Sequence, residues 1–293
     1  MKTTHYSTLL VLAMTLTLCA CNLINPEEQI PAYLHIPAFA FSADESTDGT
    51  SSENITEIWA YTGAVNLGAF SLPADIPILE DGAVNLSLRA GIRANGISAT
   101  RIVYPFYSQY NTTVMLERGV VDTIAPEFTY KDDLYFPLIV DFDEFPVFAT
   151  ESDSEVEFER ITDQNEVFEG AGCGFALIGE DQNIFRASTN EQQLVLPHNK
   201  QCFLEMDYKC NNTFAVGLYA INSAGSEKHL ALIINPTSDA AGVPQWNKIY
   251  VELLPITGAT LSATEYEIYI ESIKEAGNSE ARLYFDNIKV IHY

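Results

Sequence analysis

The chain has 293 residues, 47% of them hydrophobic with 16 Phe and 15 Tyr, enough to bury real cores and to exclude a largely disordered chain. Forty Asp and Glu stand against 15 Lys and Arg, a formal net charge of −25. That balance excludes nucleic acid, whose binders displace counterions with a basic surface, and electrostatic docking on anionic lipid headgroups; it suits a surface that faces cations, neutral glycans or another protein.

An apolar run from Leu9 to Leu18 follows Lys2 and the terminal amine. It is too short to span a bilayer, which takes about 20 apolar residues, and has the proportions of a signal-peptide core. The run closes on Leu18-Cys19-Ala20-Cys21, which resembles the lipobox of bacterial cell-envelope lipoproteins. The resemblance implies a signal peptide over residues 1–20 and a diacylglyceryl thioether on Cys21, the acylated mature N-terminus. It also implies a lipid-anchored protein at the outer membrane or cell surface. An ordinary secretory signal is the alternative. Residues 21–31, with Pro26 and Pro31, read as an extended lipidated tether.

From Tyr33 to about Tyr130 short runs of β-branched and aromatic residues recur between turn signals such as Asp81-Gly82 and Asn95-Gly96. They predict strands over Tyr33–Phe41, Ile55–Tyr61, Ala64–Phe70, Val84–Ile92, Arg101–Phe106, Thr112–Leu116 and Thr123–Thr129. This spacing predicts a β-sandwich over residues 32–137, immunoglobulin-like or transthyretin-like. Beyond it, Glu151, Asp153, Glu155, Glu157 and Glu159 alternate. On one strand face these like charges would repel, so the segment is partly loop, or a cation or partner relieves it.

Residues 138–293 again read as all-β. Strands are predicted at Cys173–Ile178, Gln193–Leu196, Cys202–Cys210, Phe214–Ile221, Leu230–Asn235, Lys248–Leu254, Glu265–Ser272 and Leu283–Ile291, a pattern that fits a jelly roll. Gly170-Ala-Gly-Cys-Gly174, Leu204–Tyr208, Trp246–Tyr250 and Leu283–Lys289 resemble segments of galactose-binding-like and carbohydrate-binding jelly rolls. If the strand Cys202–Cys210 is straight, its two thiols lie roughly 26 Å apart, too far for a disulfide. Any disulfide would then join Cys173 to one of them; three buried apolar thiols are the alternative.

Catalytic signatures are scarce. The sequence holds no G-x-S-x-G and no H-E-x-x-H, and Gly170–Gly174 lacks the spacing of a phosphate loop and leads into a strand. The chain is therefore read as a binding protein and not an enzyme, with no cofactor required. Strand parity supplies the candidate site. Trp246, Lys248 and Tyr250 share one parity of their strand, Glu205, Asp207 and Lys209 the non-core parity of theirs, and Glu267, Tyr269 and Glu271 that of a third. In one sheet, these would interleave aromatics with carboxylates on an exposed face. Flat rings stack on sugar C–H faces and carboxylates accept sugar hydroxyls, so Trp246, Tyr250, Tyr269, Glu205 and Asp207 are the predicted ligand-binding residues. A solvated face with Trp246 covering the sandwich edge is the alternative.

In Leu283–Val290 the apolar parity slips between Phe285 and Ile288, which predicts a β-bulge at Asp286-Asn287. The jelly-roll resemblance implies a structural calcium, with Asp153, Glu155, Glu157 and Asp286 as the oxygen ligands. The plainer alternative is a bulge whose Asp286 caps a turn. The reading is a lipid-anchored, non-catalytic module with glycan as its ligand; a structural or accessory subunit of an envelope protein assembly is the rival.

Overall fold

A computed structural model describes residues 28–144, 147–189 and 192–293. The lipobox, Cys21 and most of the tether lie outside the described residues. Among the described residues the chain is all-β, with 21 strands and one six-residue helix, α1 (Leu254–Ala259).

The first ten strands build sheets around one core. Strands β3 (Glu57–Thr62), β4 (Val65–Phe70), β6 (Gly82–Arg93) and β7 (Arg101–Val103) pair in the order β4-β3-β6-β7, with β8 (Gln109–Leu116) also on β6. Opposite them, β1 (Ala32–Ile36) lies between β5 (Ala74–Ile78) and β9 (Val121–Thr123), and β2 (Ala40–Ser42) pairs with β10 (Glu127–Thr129). The strand predicted over Tyr33–Phe41 is therefore two, serving different sheets. Pro37 sits in the gap, where a residue without an N–H cannot continue a ladder. Strand β5 was not predicted because Pro73 and Pro77 demote its run; it is an edge strand, where proline is tolerated. Its alternation is nevertheless regular, with Ala74, Ile76 and Ile78 buried.

The remaining strands form a second sandwich of two antiparallel sheets. In one, β13 (Glu159–Ile161), β14 (Cys173–Ile178), β21 (Ala281–His292), β16 (Cys202–Cys210) and β19 (Asn247–Glu252) follow in that order, and β11 (Tyr135–Val140) adds to β21. In the other, the order is β12 (Ala149–Thr150), β15 (Ile184–Ser188), β20 (Glu265–Ile273), β17 (Phe214–Asn222) and β18 (Gly225–Ile234). Leu204, Met206, Phe285, Leu218, Tyr266 and Ile268 meet between the sheets in one continuous core. Gln193–Leu196 is not a strand: only Leu194 bridges, to Tyr266. Helix α1 replaces the predicted end of the strand at Leu254, where Pro255 stands in the first turn.

Two sequence features are found as read. β16 runs extended from Cys202 to Cys210, and Cys173, Cys202 and Cys210 are free and buried. The register between β16 and β21 shifts between Glu205 and Asp207, opposite the Asp286–Lys289 stretch, and Asn287 adopts a left-handed φ of 48°. The bulge restores apolar parity, so that Phe285 and Ile288 both reach the core.

The two sandwiches share a boundary. Phe203, Tyr250 and Ile291, on the outer parity of β16, β19 and β21, belong to the first sandwich's core together with Tyr104, Phe106 and Tyr107. All nine residues of β16 are buried, which a strand achieves only when both of its faces are covered.

Candidate functional site

This boundary overturns the exposed face expected from strand parity. Glu205, Asp207 and Tyr250 do share the outer side of one sheet, but the first sandwich lies on them: they are 0%, 1% and 2% exposed. The Glu205 carboxylate accepts hydrogen bonds from the Tyr104 hydroxyl at 2.7 Å and the Tyr130 hydroxyl at 2.9 Å, and pairs with Lys248 at 3.2 Å. Asp207 accepts from the Ser52 hydroxyl at 2.9 Å and from the Asn287 amide at 2.9 Å. The Tyr250 hydroxyl accepts from the Asn54 N–H at 2.8 Å and meets the Tyr107 hydroxyl at 2.9 Å. Burial alone would push the Lys248 ammonium down, but Asp207 and Glu205 outweigh it and hold the group above its ordinary value. These side chains hold the two sandwiches together and are closed to a ligand.

The calcium set is not assembled either. Asp153 pairs with Arg186 at 2.5 Å, and the Glu155 carboxylate accepts the Asn183 N–H at 2.6 Å. Glu157 points into solvent from an irregular stretch whose Val156 and Phe158 enter the core. Asp286 is fully buried beside Asp207 and Glu169, at the bulge, where its carboxylate accepts the Asn287 N–H at 2.9 Å. Among the described residues no group of three or more His, Cys, Asp or Glu side chains is arranged to hold a metal ion. The repulsion among the alternating acids is relieved by their lying largely in loop and, at Asp153, by Arg186.

Tyr269 lies on the other sheet, whose outer face the first sandwich does not cover. Here β20 places Glu267, Tyr269 and Glu271 outward, and the registers set Tyr219 beside Glu267, Gly217 beside Tyr269 and Arg186 beside Glu271. The rings of Tyr219 and Tyr269 stand 5.2 Å apart. Tyr269 lies flat over Gly217, where any Cβ would strike the ring and the His229 carbonyl. With the Lys228 ammonium 4.2 Å above it, Tyr269 is 2% exposed and forms a floor. Tyr219 is the half-open ring on that floor, and its hydroxyl donates to Glu151 at 3.1 Å.

Glu271 binds both local cations, Arg186 at 2.6 Å and Lys228 at 2.8 Å. Burial would raise this carboxyl, but Lys228 and Arg186 outweigh it and hold it below its ordinary value. Burial, then Glu151, pushes the Tyr219 hydroxyl well up, so it stays protonated as a donor through the physiological range. Next to these rings a shallow depression of about 590 Å³ is lined by Glu151, Asp153, Ser188, Tyr219, Ser226 and Glu267. One aromatic wall with convergent hydroxyl and carboxylate groups suits a ligand with apolar C–H faces and many hydroxyls.

Trp246 belongs to neither group. It stands half-buried just ahead of β19, packed on Phe168 with ring centroids 5.4 Å apart. Sequence reasoning therefore set Glu267, Tyr269 and Glu271 on one face, with Tyr269 alone of them a predicted ligand-binding residue, read Glu151 only as one of the alternating acids, and missed Tyr219, Arg186 and Lys228. Tyr219 was legible in part, since it falls on the outer parity of the predicted strand Phe214–Ile221. That this strand lies beside Glu265–Ser272 was not.

No protein-family model matches the sequence, and no curated protein matches it. Solved structures that it resembles include the CBM22-1 xylan-binding domain from Paenibacillus barcinonensis Xyn10C, at 10% identity and a TM-score of 0.36, over 54% of this chain and 94% of that one. The family 30 carbohydrate-binding module of a Clostridium thermocellum cellulosomal cellulase matches at 12% identity and a TM-score of 0.38, over 52% and 96%. A cleaved adhesin domain of Lys-gingipain from Porphyromonas gingivalis matches at 12% identity and a TM-score of 0.33, over 53% and 98%.

Proposed function

We propose that the protein is a lipid-anchored cell-envelope module that binds neutral glycan on the open sheet of its second sandwich. The observation that carries the reading is the Tyr219–Tyr269 pair on a solvent-facing sheet, with Glu151, Glu267, Ser188 and Ser226 converging beside it. A sugar ring stacking on Tyr219 buries its C–H face, while the carboxylates and hydroxyls exchange hydrogen bonds with its rim. Polar partners that fix orientation around one apolar contact are the usual composition of a small-ligand site. The net charge of −25 favours neutral over anionic polysaccharide. The lipobox at Leu18–Cys21 supplies the anchor, at the outer membrane or cell surface, with Cys21 as the modified residue.

Glycan-array binding with full-length protein, xylan among the probes, tests the site: Tyr219→Ala abolishes retention of the bound glycans while the unfolding curve stays close to wild type. Retention unchanged by Tyr219→Ala refutes it. Metabolic labelling with an alkyne fatty acid tests the anchor, since label must vanish in Cys21→Ala.

One observation favours a protein contact for the first sandwich. Ile30, Leu79, Val120 and Val121 are 64%, 59%, 41% and 57% exposed at one end of the β5-β1-β9 sheet. Apolar residues clustered on a surface mark interaction sites. An accessory subunit of an envelope assembly would place its partner there, and cross-linking from residue 79 in cells identifies that partner.

A further inference from the structure

The first sandwich does not cover the outer parity of β16 to its end. β16 carries Glu205 and Asp207 under the first sandwich, but two residues on, at the sheet's margin, the cover changes: Lys209, still only 8% exposed, lies against Trp246 and Tyr284. The Lys209 ammonium lies 5.3 Å from the Trp246 ring and 4.2 Å from the Tyr284 ring, and pairs with Glu166 at 2.5 Å. Phe168, 39% exposed, packs on the indole at 5.4 Å. Cation, carboxylate and three rings thus fix one another, which holds the indole in place on a surface where a lone Trp would be free to turn.

Trp246 is also a wall shared by two clefts. The first, of about 440 Å³, is bounded by Glu166, Lys209, Arg282 and Tyr284. The second, of about 410 Å³, runs along Asn235, Gln245, Asn247 and Asn95, the last on the tight turn after β6. On the lysine side the charges are internally matched, Lys209 by Glu166 and Arg282 by Glu280 at 2.7 Å. The other side offers carboxamides. Paired charges and amides lining both sides of an indole suit an uncharged ligand rich in hydroxyls, long enough to pass the ring.

We propose that the Trp246 wall is a second glycan site, separate from the Tyr219 face and set at the sandwich edge between the end of β18 and the start of β19, which takes a neutral oligosaccharide threaded across the indole. The two sites share no lining residue, so each can be removed alone. A chain with two sites also gains avidity on a polymer, where the second contact is intramolecular.

The test uses Trp fluorescence and titration calorimetry. The chain has two Trp, Trp59 and Trp246, so Trp59→Phe leaves the indole in question as the sole reporter. Full-length Trp59→Phe protein is titrated with neutral hexasaccharides of β-1,4-linked glucose, xylose, mannose and galactose. Binding at the wall quenches or blue-shifts the emission, and Trp246→Ala weakens that glycan about tenfold or more, the scale of truncating a buried aromatic anchor. In the Tyr219→Ala background the same fluorescence change persists. An emission spectrum unmoved by every hexasaccharide overturns the proposal, as does a Trp246→Ala isotherm identical to wild type. Binding abolished by Tyr219→Ala and untouched by Trp246→Ala overturns it while leaving the first site standing. Because Trp246→Ala also removes packing on Phe168, the double variant Asn235→Ala/Gln245→Ala, at two exposed positions, must weaken the same glycan in a protein whose unfolding curve is unchanged.

Discussion

The two sheets of the second sandwich carry the same kind of outer parity and meet opposite fates. One presents Glu205, Asp207 and Lys248 with Phe203 and Tyr250; the other presents Glu267, Glu271 and Lys228 with Tyr219 and Tyr269. The first sandwich sits on the former set, so each of its charges must find its partners within the protein. Glu205 accordingly has two tyrosine hydroxyls and a lysine. The latter set keeps water within reach, and its charges pair more loosely around Glu271, the carboxylate shared by two cations. A strand's alternation says which side a residue takes; it does not say what lies on that side.

The largest effect that sharpens this comparison is at Glu205. Glu205→Ala strips the partner from Tyr104, Tyr130 and Lys248 at once and leaves a buried cation with only Asp207, 3.9 Å away. Breaking a buried pair by deleting one member costs about 3–5 kcal/mol, so chemical denaturation should show a loss of that size. Glu271→Ala on the open sheet removes a carboxylate that keeps 22% of its side chain in water and costs about 1 kcal/mol. Equal costs at the two positions would mean that the covered boundary is wetter than its burial states.

Second in size is a pH dependence confined to the covered boundary. Burial pushes the Asp286 carboxyl up to about 8, with Asp207 and Glu169 adding to it, and burial pushes the Lys289 ammonium down to about 8. For Asp286 the folded value is above the unfolded one, so its contribution is fully present below about pH 4 and is lost as pH rises towards 8. For Lys289 the folded value is below the unfolded one, so its contribution is present above about 10.5 and is lost as pH falls through 8. Together they put a stability minimum near pH 8. Thermal unfolding from pH 5 to 10 should trace that minimum, and Asp286→Asn should flatten its acid limb. A minimum that survives in the variant assigns the acid limb to other groups, beginning with Asp207, which burial also raises.

These residues also show how far the sequence carries. Strand periods, the bulge between Phe285 and Ile288, and the extended run that keeps Cys202 from Cys210 are local, and each was legible. The outer parity of Glu205, Asp207 and Tyr250 was legible too. What covers it was not, because the contact with Tyr104 spans 101 positions of sequence and that with Asn54 spans 196. Phe203 was the available hint: a large apolar side chain on a parity otherwise filled by Glu205, Asp207 and Lys209 has no reason to face water. The open face failed for a related reason. Tyr269 sits next to Tyr219 only because β20 lies between β15 and β17, and strand order is set by the whole topology.

The smallest effect separates the two sheets most cleanly. Glu271→Gln leaves Arg186 with Asp153 and leaves Lys228 over the Tyr269 ring. The loss is then the Coulomb attraction of a partly solvated carboxylate for two cations, worth about 1 kcal/mol or less in dilute buffer. Salt at about 1 M shortens the screening length to about 3 Å, comparable to these contacts, whereas pairs sealed from water are screened far less. The difference between wild type and Glu271→Gln should therefore shrink to nothing between 0.05 and 1 M salt, an ordinary pair of test conditions. That between wild type and Glu205→Gln should persist. If the Glu271 difference also persists, the second sheet is covered as well, by a further copy or a partner, and the Tyr219 face is not free to take a ligand.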